Sequence, residues 1–173
     1  MMKNLIFLLT FFSFFILACN NSPTETPDAP PAEVSEEQQQ WDAFWKKFEK
    51  AVAQNNVGAI VELANLPLRG NFFTDEKGDG LSKAGLIKNY AKIFEAQVVQ
   101  RIANIKPNEW GVITTKTEND QKYIGLPIGT EAKILRFEYV FNKGKENQTE
   151  STQMFYFAKI NGEYKWTSMV IAG

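Results

Sequence analysis

Phe155-Tyr156-Phe157-Ala158-Lys159-Ile160-Asn161-Gly162-Glu163-Tyr164-Lys165-Trp166 decides the fold class of this chain. Asn-Gly between two runs of alternating and aromatic residues is the strongest short-range signal for a two-residue β-hairpin, because both turn positions need positive φ. Strands are therefore expected over Ser151–Ile160 and Tyr164–Ile171. Upstream, Phe137, Tyr139 and Phe141 alternate with Arg136, Glu138 and Val140, so Ala132–Asn142 reads as a third strand. Lys143-Gly144-Lys145 turns it back toward Ser151. Trp110–Lys116 and Gln121–Leu126 read as two further strands joined by a polar turn at Glu118-Asn119-Asp120.

Before residue 106 the period is helical. Trp41, Phe44, Trp45, Phe48 and Val52 recur at spacings of three and four, with Lys46, Lys47, Glu49 and Lys50 on the opposite side. Ser35 followed by Gln38 reads as a capping box opening that helix. The aromatic stripe either packs on the sheet or forms a partner groove. A short second helix holds Ile60, Val61, Leu63 and Ala64 and ends at Pro67. Residues 68–81 read as irregular. Ser82 caps a third helix with Leu86, Ile87, Tyr90, Ile93 and Phe94 on one side, and residues 97–105 fit a helix or a strand. Helices followed by an antiparallel meander make an α+β domain, with N-terminal helices packed on one face of a curved antiparallel sheet.

The N-terminus has a different composition. Lys3 precedes an apolar run, Leu5–Ala18, broken only by Thr10 and Ser13. That is a signal-peptide core and is short for a membrane span of about 20 residues. It ends in Ile16-Leu17-Ala18-Cys19, which resembles the lipobox of bacterial lipoproteins and, in its Phe-rich run and bulky Leu17, those of Bacteroidetes. The resemblance implies cleavage after residue 18 and a lipid on Cys19. The other reading is an uncleaved membrane anchor with an incidental cysteine. Residues 20–40 hold four of the seven prolines and five acidic residues with no basic one, a composition without a reason to collapse. The expected organisation is a signal peptide over 1–18, a lipidated Cys19 with an acidic Pro-rich tether over 19–40, and a folded domain over 41–173. The expected location is a bacterial envelope membrane, the outer one by the lipoprotein sorting pattern with Asn20 after the cysteine.

Composition excludes several chemistries. The chain has no histidine and one cysteine, so no intrachain disulfide, His base or zinc site of Cys and His exists. Residues 41–173 carry 18 Lys and Arg against 15 Asp and Glu, too small a surplus for a nucleic-acid surface. Asp75, Asp79 and Gly80 match part of a calcium loop, but Lys77 and Leu86 stand where two ligands belong. No metal and no cofactor is expected.

The stretches Trp41-Asp42-Ala43-Phe44-Trp45-Lys46-Lys47-Phe48, Leu66-Pro67-Leu68 and Phe155–Trp166 resemble lipoprotein domains similar to the nuclear transport factor 2 superfamily, which includes ketosteroid isomerases and SnoaL-type cyclases. The resemblance spans residues 41–173 and implies a cone-shaped fold with an apolar pocket. Enzymes of that superfamily place an acid or His in the pocket with Tyr or Asp donors. Glu138 is the best acid candidate, mid-strand among aromatics, with Arg136 two residues away on its face; the other reading is a salt-bridged or solvent-facing pair on the polar side of a half-buried strand. Tyr90, Tyr123, Tyr139, Tyr156 and Tyr164 are the possible donors. Arg136, Glu138, Tyr139 and Tyr156 are thus the candidate binding residues. Three functions follow: a non-catalytic module binding a small apolar ligand or an envelope protein, an isomerase- or hydrolase-type enzyme using Glu138, or a structural dimerisation unit forming a homodimer.

Overall fold

A computed structural model describes residues 34–71, 80–106, 109–141, 144, 146 and 148–172, with the side chains of 137–141, 149 and 151 outside the description. The signal segment, Cys19, most of the tether and Asp75–Asp79 therefore lie outside the described residues. Among those described, no helix is long and apolar enough to cross a membrane.

The first helix, α1 (Glu36–Ala53), starts where expected: Ser35 Oγ accepts from Gln38 N–H at 3.2 Å. The cap is one-sided, because the Gln38 side chain donates forward to Asp42 at 2.7 Å instead of back to Ser35. Helix α2 (Val57–Leu63) is capped by Asn56. The chain then departs from the pattern reading: residues Ala64–Gly70 form strand β1, with Pro67 inside it. Proline is tolerated there because β1 is the edge of the sheet, where a missing N–H breaks no ladder. Ser82 caps α3 (Lys83–Ile93) as expected, and the ambiguous stretch resolves as α4 (Ala96–Ala103). Its Val98 and Ile102 are buried on one stripe, four residues apart.

The second correction concerns Gln121–Leu126. The segment Glu118–Ile124 is helix α5, following β2 (Trp110–Thr114). Thr117 accepts from Asp120 N–H at 3.1 Å while Asp120 accepts from Thr117 N–H at 3.0 Å. The polar triplet read as a turn is thus the first turn of a capped helix, a reciprocal arrangement worth about 1 kcal/mol. Gly125, at φ 76°, ends it.

The remaining strands fall as expected: β3 (Glu131–Phe141), β4 (Thr149–Ile160) and β5 (Glu163–Ala172). Asn161 and Gly162 both have positive φ, 53° and 86°, and make the tight turn between β4 and β5. The five strands lie in the order β1-β5-β4-β3-β2. All neighbours are antiparallel except β1 and β5, which run parallel, so the sheet is mixed. Helices packed on a sheet, the expected α+β class, is what the chain forms.

Two apolar clusters lie on the two faces of this sheet. The larger joins α1–α4 to Leu135, Phe155, Phe157, Trp166 and Met169. The smaller joins Ile124 of α5 to Ile134, Tyr156 and Ala158. Alternation along β3 and β4 makes this division, since neighbouring residues point to opposite faces. The aromatic stripe of α1 is core: Trp41 is 3% exposed, Phe44 6% and Phe48 0%.

Candidate functional site

The helix-side interior is filled by rings. Phe157 has its centroid 5.2 Å from Phe48, 5.8 Å from Trp41, Phe44 and Trp110, and 6.0 Å from Trp45. Trp166 sits 5.5 Å from Phe94 and from Phe155, its indole N–H bonded to the Ser168 carbonyl at 2.9 Å. Edge-to-face contacts of this kind each add about 0.5–1.5 kcal/mol beyond area burial.

The residues singled out from sequence do not converge here. Arg136 is solvent-exposed. Tyr156 is buried, but in the α5-side cluster, and its hydroxyl donates to the Met154 thioether at 3.5 Å. Burial pushes the Tyr156 hydroxyl above its ordinary range, with Arg136 opposing and Asp120 adding to the shift. Arg136 and Tyr156 thus feel each other on the face away from the aromatic cluster. Backbone pairing places Glu138 opposite Thr152 and Tyr139 opposite Ser151; the side chains of Glu138 and Tyr139 lie outside the described residues. Of the other tyrosines, Tyr123 is exposed, while Tyr90 and Tyr164 are buried. Among the described residues no group of three or more acidic or Cys side chains is arranged to hold a metal ion.

Two polar atoms in the aromatic interior have no partner among the described residues: the Tyr90 hydroxyl and the Gln153 side-chain carbonyl. Gln153 places its amide N–H 3.2 Å from the Met169 sulfur, a weak acceptor. Burial alone raises the Tyr90 hydroxyl above its usual range. An unsatisfied buried hydroxyl costs about 1–3 kcal/mol. Tyr90→Phe is therefore expected to leave stability unchanged or raise it by up to about 1 kcal/mol, read by urea denaturation; a loss larger than that would mean the hydroxyl has a partner.

A different cluster ties α1 to the sheet. Tyr164 O–H donates to Glu37 Oε1 at 2.9 Å, and Lys159 Nζ lies 3.7 Å from the same oxygen. The Tyr164 bond, then Lys159, holds the Glu37 carboxyl below its ordinary range; burial, then Glu37, drives the Tyr164 hydroxyl far up. A neutral phenol donating to a carboxylate that is ionised near neutral pH ties the start of α1 to β5.

A depression adjoins this cluster and shares Tyr164 with it. It is a cleft of about 750 Å³ between α1, α2 and the β4–β5 turn. Ala43, Phe44, Ala51 and Leu63 supply apolar wall, while Lys47 and Lys50 of α1 face Lys165 of β5. Lys165 is held by Glu163 at 3.2 Å and by the Glu62 carbonyl at 3.1 Å. Among the described residues neither Lys47 nor Lys50 makes an ion pair. The volume falls within the ~300–1,000 Å³ usual for small-molecule sites. The sequence pattern behind it is Gln40, Ala43, Lys47, Lys50 and Gln54, a second stripe at three-and-four spacing beside the aromatic one. Its small alanines leave the room, a signal hidden because polar helix faces are ordinarily just solvated.

The architecture defines an α+β domain with helices layered on a mixed sheet. Solved structures similar to it include a protein of unknown function with a nuclear transport factor 2-like fold from Shewanella oneidensis, at 12% identity and a TM-score of 0.40 over 79% of this chain and 99% of that one. A candidate calcium/calmodulin-dependent protein kinase II association domain from Xanthomonas campestris is similar at 15% identity and 0.38, over 84% and 92%. A candidate ketosteroid isomerase from Shewanella frigidimarina matches at 12% and 0.34, over 77% and 94%. The sequence matches no family model and no curated protein. At such identities and scores nothing of these proteins' chemistry transfers.

Proposed function

We propose that this chain is a lipid-anchored, non-catalytic binding module of the bacterial cell envelope, carried on the outer membrane through Cys19, whose recognition surface is the cleft between α1, α2 and the β4–β5 turn. The observation that supports a binding role is the cleft itself: apolar wall for a hydrophobic body, lined also by Lys47 and Lys50, which make no ion pair among the described residues. The helix-side interior, where a superfamily-type active site belongs, is packed with Phe48, Phe155, Phe157 and Trp166, each fully buried. The occupant suited to the cleft is a small apolar molecule with a polar or anionic end, or an apolar side-chain cluster of an envelope protein.

The test uses the full chain and the fluorescent probe 1-anilinonaphthalene-8-sulfonate, an apolar body with one anionic group. Saturable one-to-one enhancement is expected, at least ten-fold weaker in Ala43→Trp, which fills the cleft from an exposed helix position. Non-saturable enhancement, or equal binding by Ala43→Trp, would sink the cleft assignment. The anchor is read in the same preparations: Cys19→Ser should leave the membrane fraction unprocessed and without incorporated palmitate. Palmitate retained in Cys19→Ser would refute it.

A further inference from the structure

The two walls of the cleft differ in charge. On the α1 wall, Lys47 and Lys50 have no acidic residue three or four places away in either direction. Lys46, which does not line the cleft, has Asp42 and Glu49 at those spacings. Residues three or four apart are the ones that meet on a helix surface, so α1 compensates its outward lysine and leaves the two of the cleft bare. The opposite wall, on α2 and β5, holds Glu62, Glu163 and Lys165, two acids to one base. Glu163 is taken by Lys165 at 3.2 Å. Glu62, the one charged residue of α2, makes no ion pair among the described residues, and none crosses from Lys47 or Lys50 to the acid wall. Uncompensated charge of both signs therefore lines one cleft.

Low-dielectric walls concentrate the field of the charges set in them. A ligand complementary to this surface has an apolar body, an anion for the two lysines and a cation for Glu62. A phosphate diester is an anion that is also a link, with one ester to the body and the other to the cationic arm. Lysine binds phosphate as a point charge, and Lys47 and Lys50 sit one turn apart, so each ammonium can take one of the two free phosphate oxygens. The cation is a primary ammonium, whose N–H groups suit a carboxylate. A quaternary ammonium is recognised by aromatic faces, and the one ring on the acid wall, Tyr164, already has Lys159 over it at 5.4 Å. A volume of about 750 Å³, in the small-molecule range, limits the body to one chain.

We infer that the occupant of the cleft is a single-chain phospholipid with a phosphoethanolamine head. Its acyl chain lies on Ala43, Phe44, Ala51 and Leu63, its phosphate on Lys47 and Lys50, and its ammonium on Glu62. The inference rests on the reading of the cleft as a binding site and narrows what that site takes.

Its test is isothermal titration calorimetry of the full chain with lauroyl lysolipids kept below micelle formation. Lysophosphatidylethanolamine is compared with lysophosphatidylglycerol, which has the same chain and phosphate and no ammonium, and with lysophosphatidylcholine, whose ammonium is quaternary. The ethanolamine lipid is expected to bind one to one and at least ten-fold more tightly than either. Glu62→Gln should erase that preference, and the double variant Lys47→Gln, Lys50→Gln should weaken the ethanolamine and glycerol lipids at least ten-fold each. All three side chains are exposed, and an unchanged circular dichroism spectrum checks the fold of each variant. Equal binding of the glycerol or choline lipid, or a preference that survives Glu62→Gln or Ala43→Trp, overturns the inference. If the anilinonaphthalene dye still saturates and Ala43→Trp still weakens it, the cleft stands and only this occupant is wrong; failure of the dye sinks both.

Discussion

Phe157→Ala is expected to destabilise the domain by about 3–5 kcal/mol, the range for truncating a fully buried Phe. The upper half of that range applies, because Phe157 is fully buried and its ring touches five others: Trp41, Phe44, Trp45, Phe48 and Trp110. These belong to α1 and β2, so truncation opens a void at the joint between the first helix and the sheet. Large rigid rings held by one another cannot collapse into the space, and cavity cost grows with the volume left behind. A typical domain has only about 5–15 kcal/mol in total, so the variant should sit near the edge of folding. A Tm lower by roughly 10 °C is expected from the size of the chain. Val112→Ala, on the exposed surface, should shift stability by less than about 0.5 kcal/mol. Equal effects of the two would show that the ring cluster does not hold the fold.

Gly70→Ala is the second large effect, and it works through the backbone. Gly70 ends β1 at φ 144°, opposite Met169 of β5. A Cβ added there would overlap the Met169 carbonyl oxygen. That atom is main chain and cannot swing aside, so the parallel β1–β5 pairing must separate locally. The loss spreads to Asn71, whose side chain donates to the Ile171 carbonyl at 2.7 Å and accepts its N–H at 2.8 Å. Strain and overpacking together are expected to cost at least about 2 kcal/mol. Hydrogen exchange at the Ile171 amide should accelerate with it. Gly162→Ala makes the comparison: φ is also positive, 86°, but nothing lies within 4 Å of the new Cβ. It should cost only the left-handed penalty of about 1–2 kcal/mol. If both variants cost the same, the close approach at Gly70 is not what requires glycine.

The candidate site was less legible than the fold. Arg136 enters as the residue two places from Glu138 and Tyr156 as a possible hydroxyl donor, and the pleat of β3 and β4 puts both on the sheet face opposite the aromatic cluster. Which face takes the ring cluster depends on where α1 and α3 deliver their aromatic side chains. The cleft is formed by the consecutive helices α1 and α2 and by a hairpin turn about a hundred residues further along the chain. No single segment contains its pattern, and the Ala43 and Lys47 stripe looks like any solvated helix surface until Lys165 is placed across from it.

Local chemistry by itself determined the tight turn at Asn161-Gly162, the caps at Ser35 and Ser82, the aromatic burial face of α1 and the long strands β3, β4 and β5. In each the covalent sequence supplies both the pattern and its boundary: positive-φ residues, a hydroxyl before a helix, rings at helical or alternating spacing. Tertiary structure decided the rest. Ala64–Gly70 became a strand because β5 offered an edge to pair with, and that contact lies about a hundred residues away. Glu118–Ile124 became a helix although Tyr123, Ile124 and Leu126 look strand-like, because the Thr117–Asp120 cap starts it and the bare α5-side face of the sheet takes Ile124. Short segments have too few local contacts to choose between helix and strand, so the surface they land on chooses for them. The opening hairpin was therefore readable from its own residues, whereas the strand that completes its sheet in parallel was readable only once the hairpin was in place.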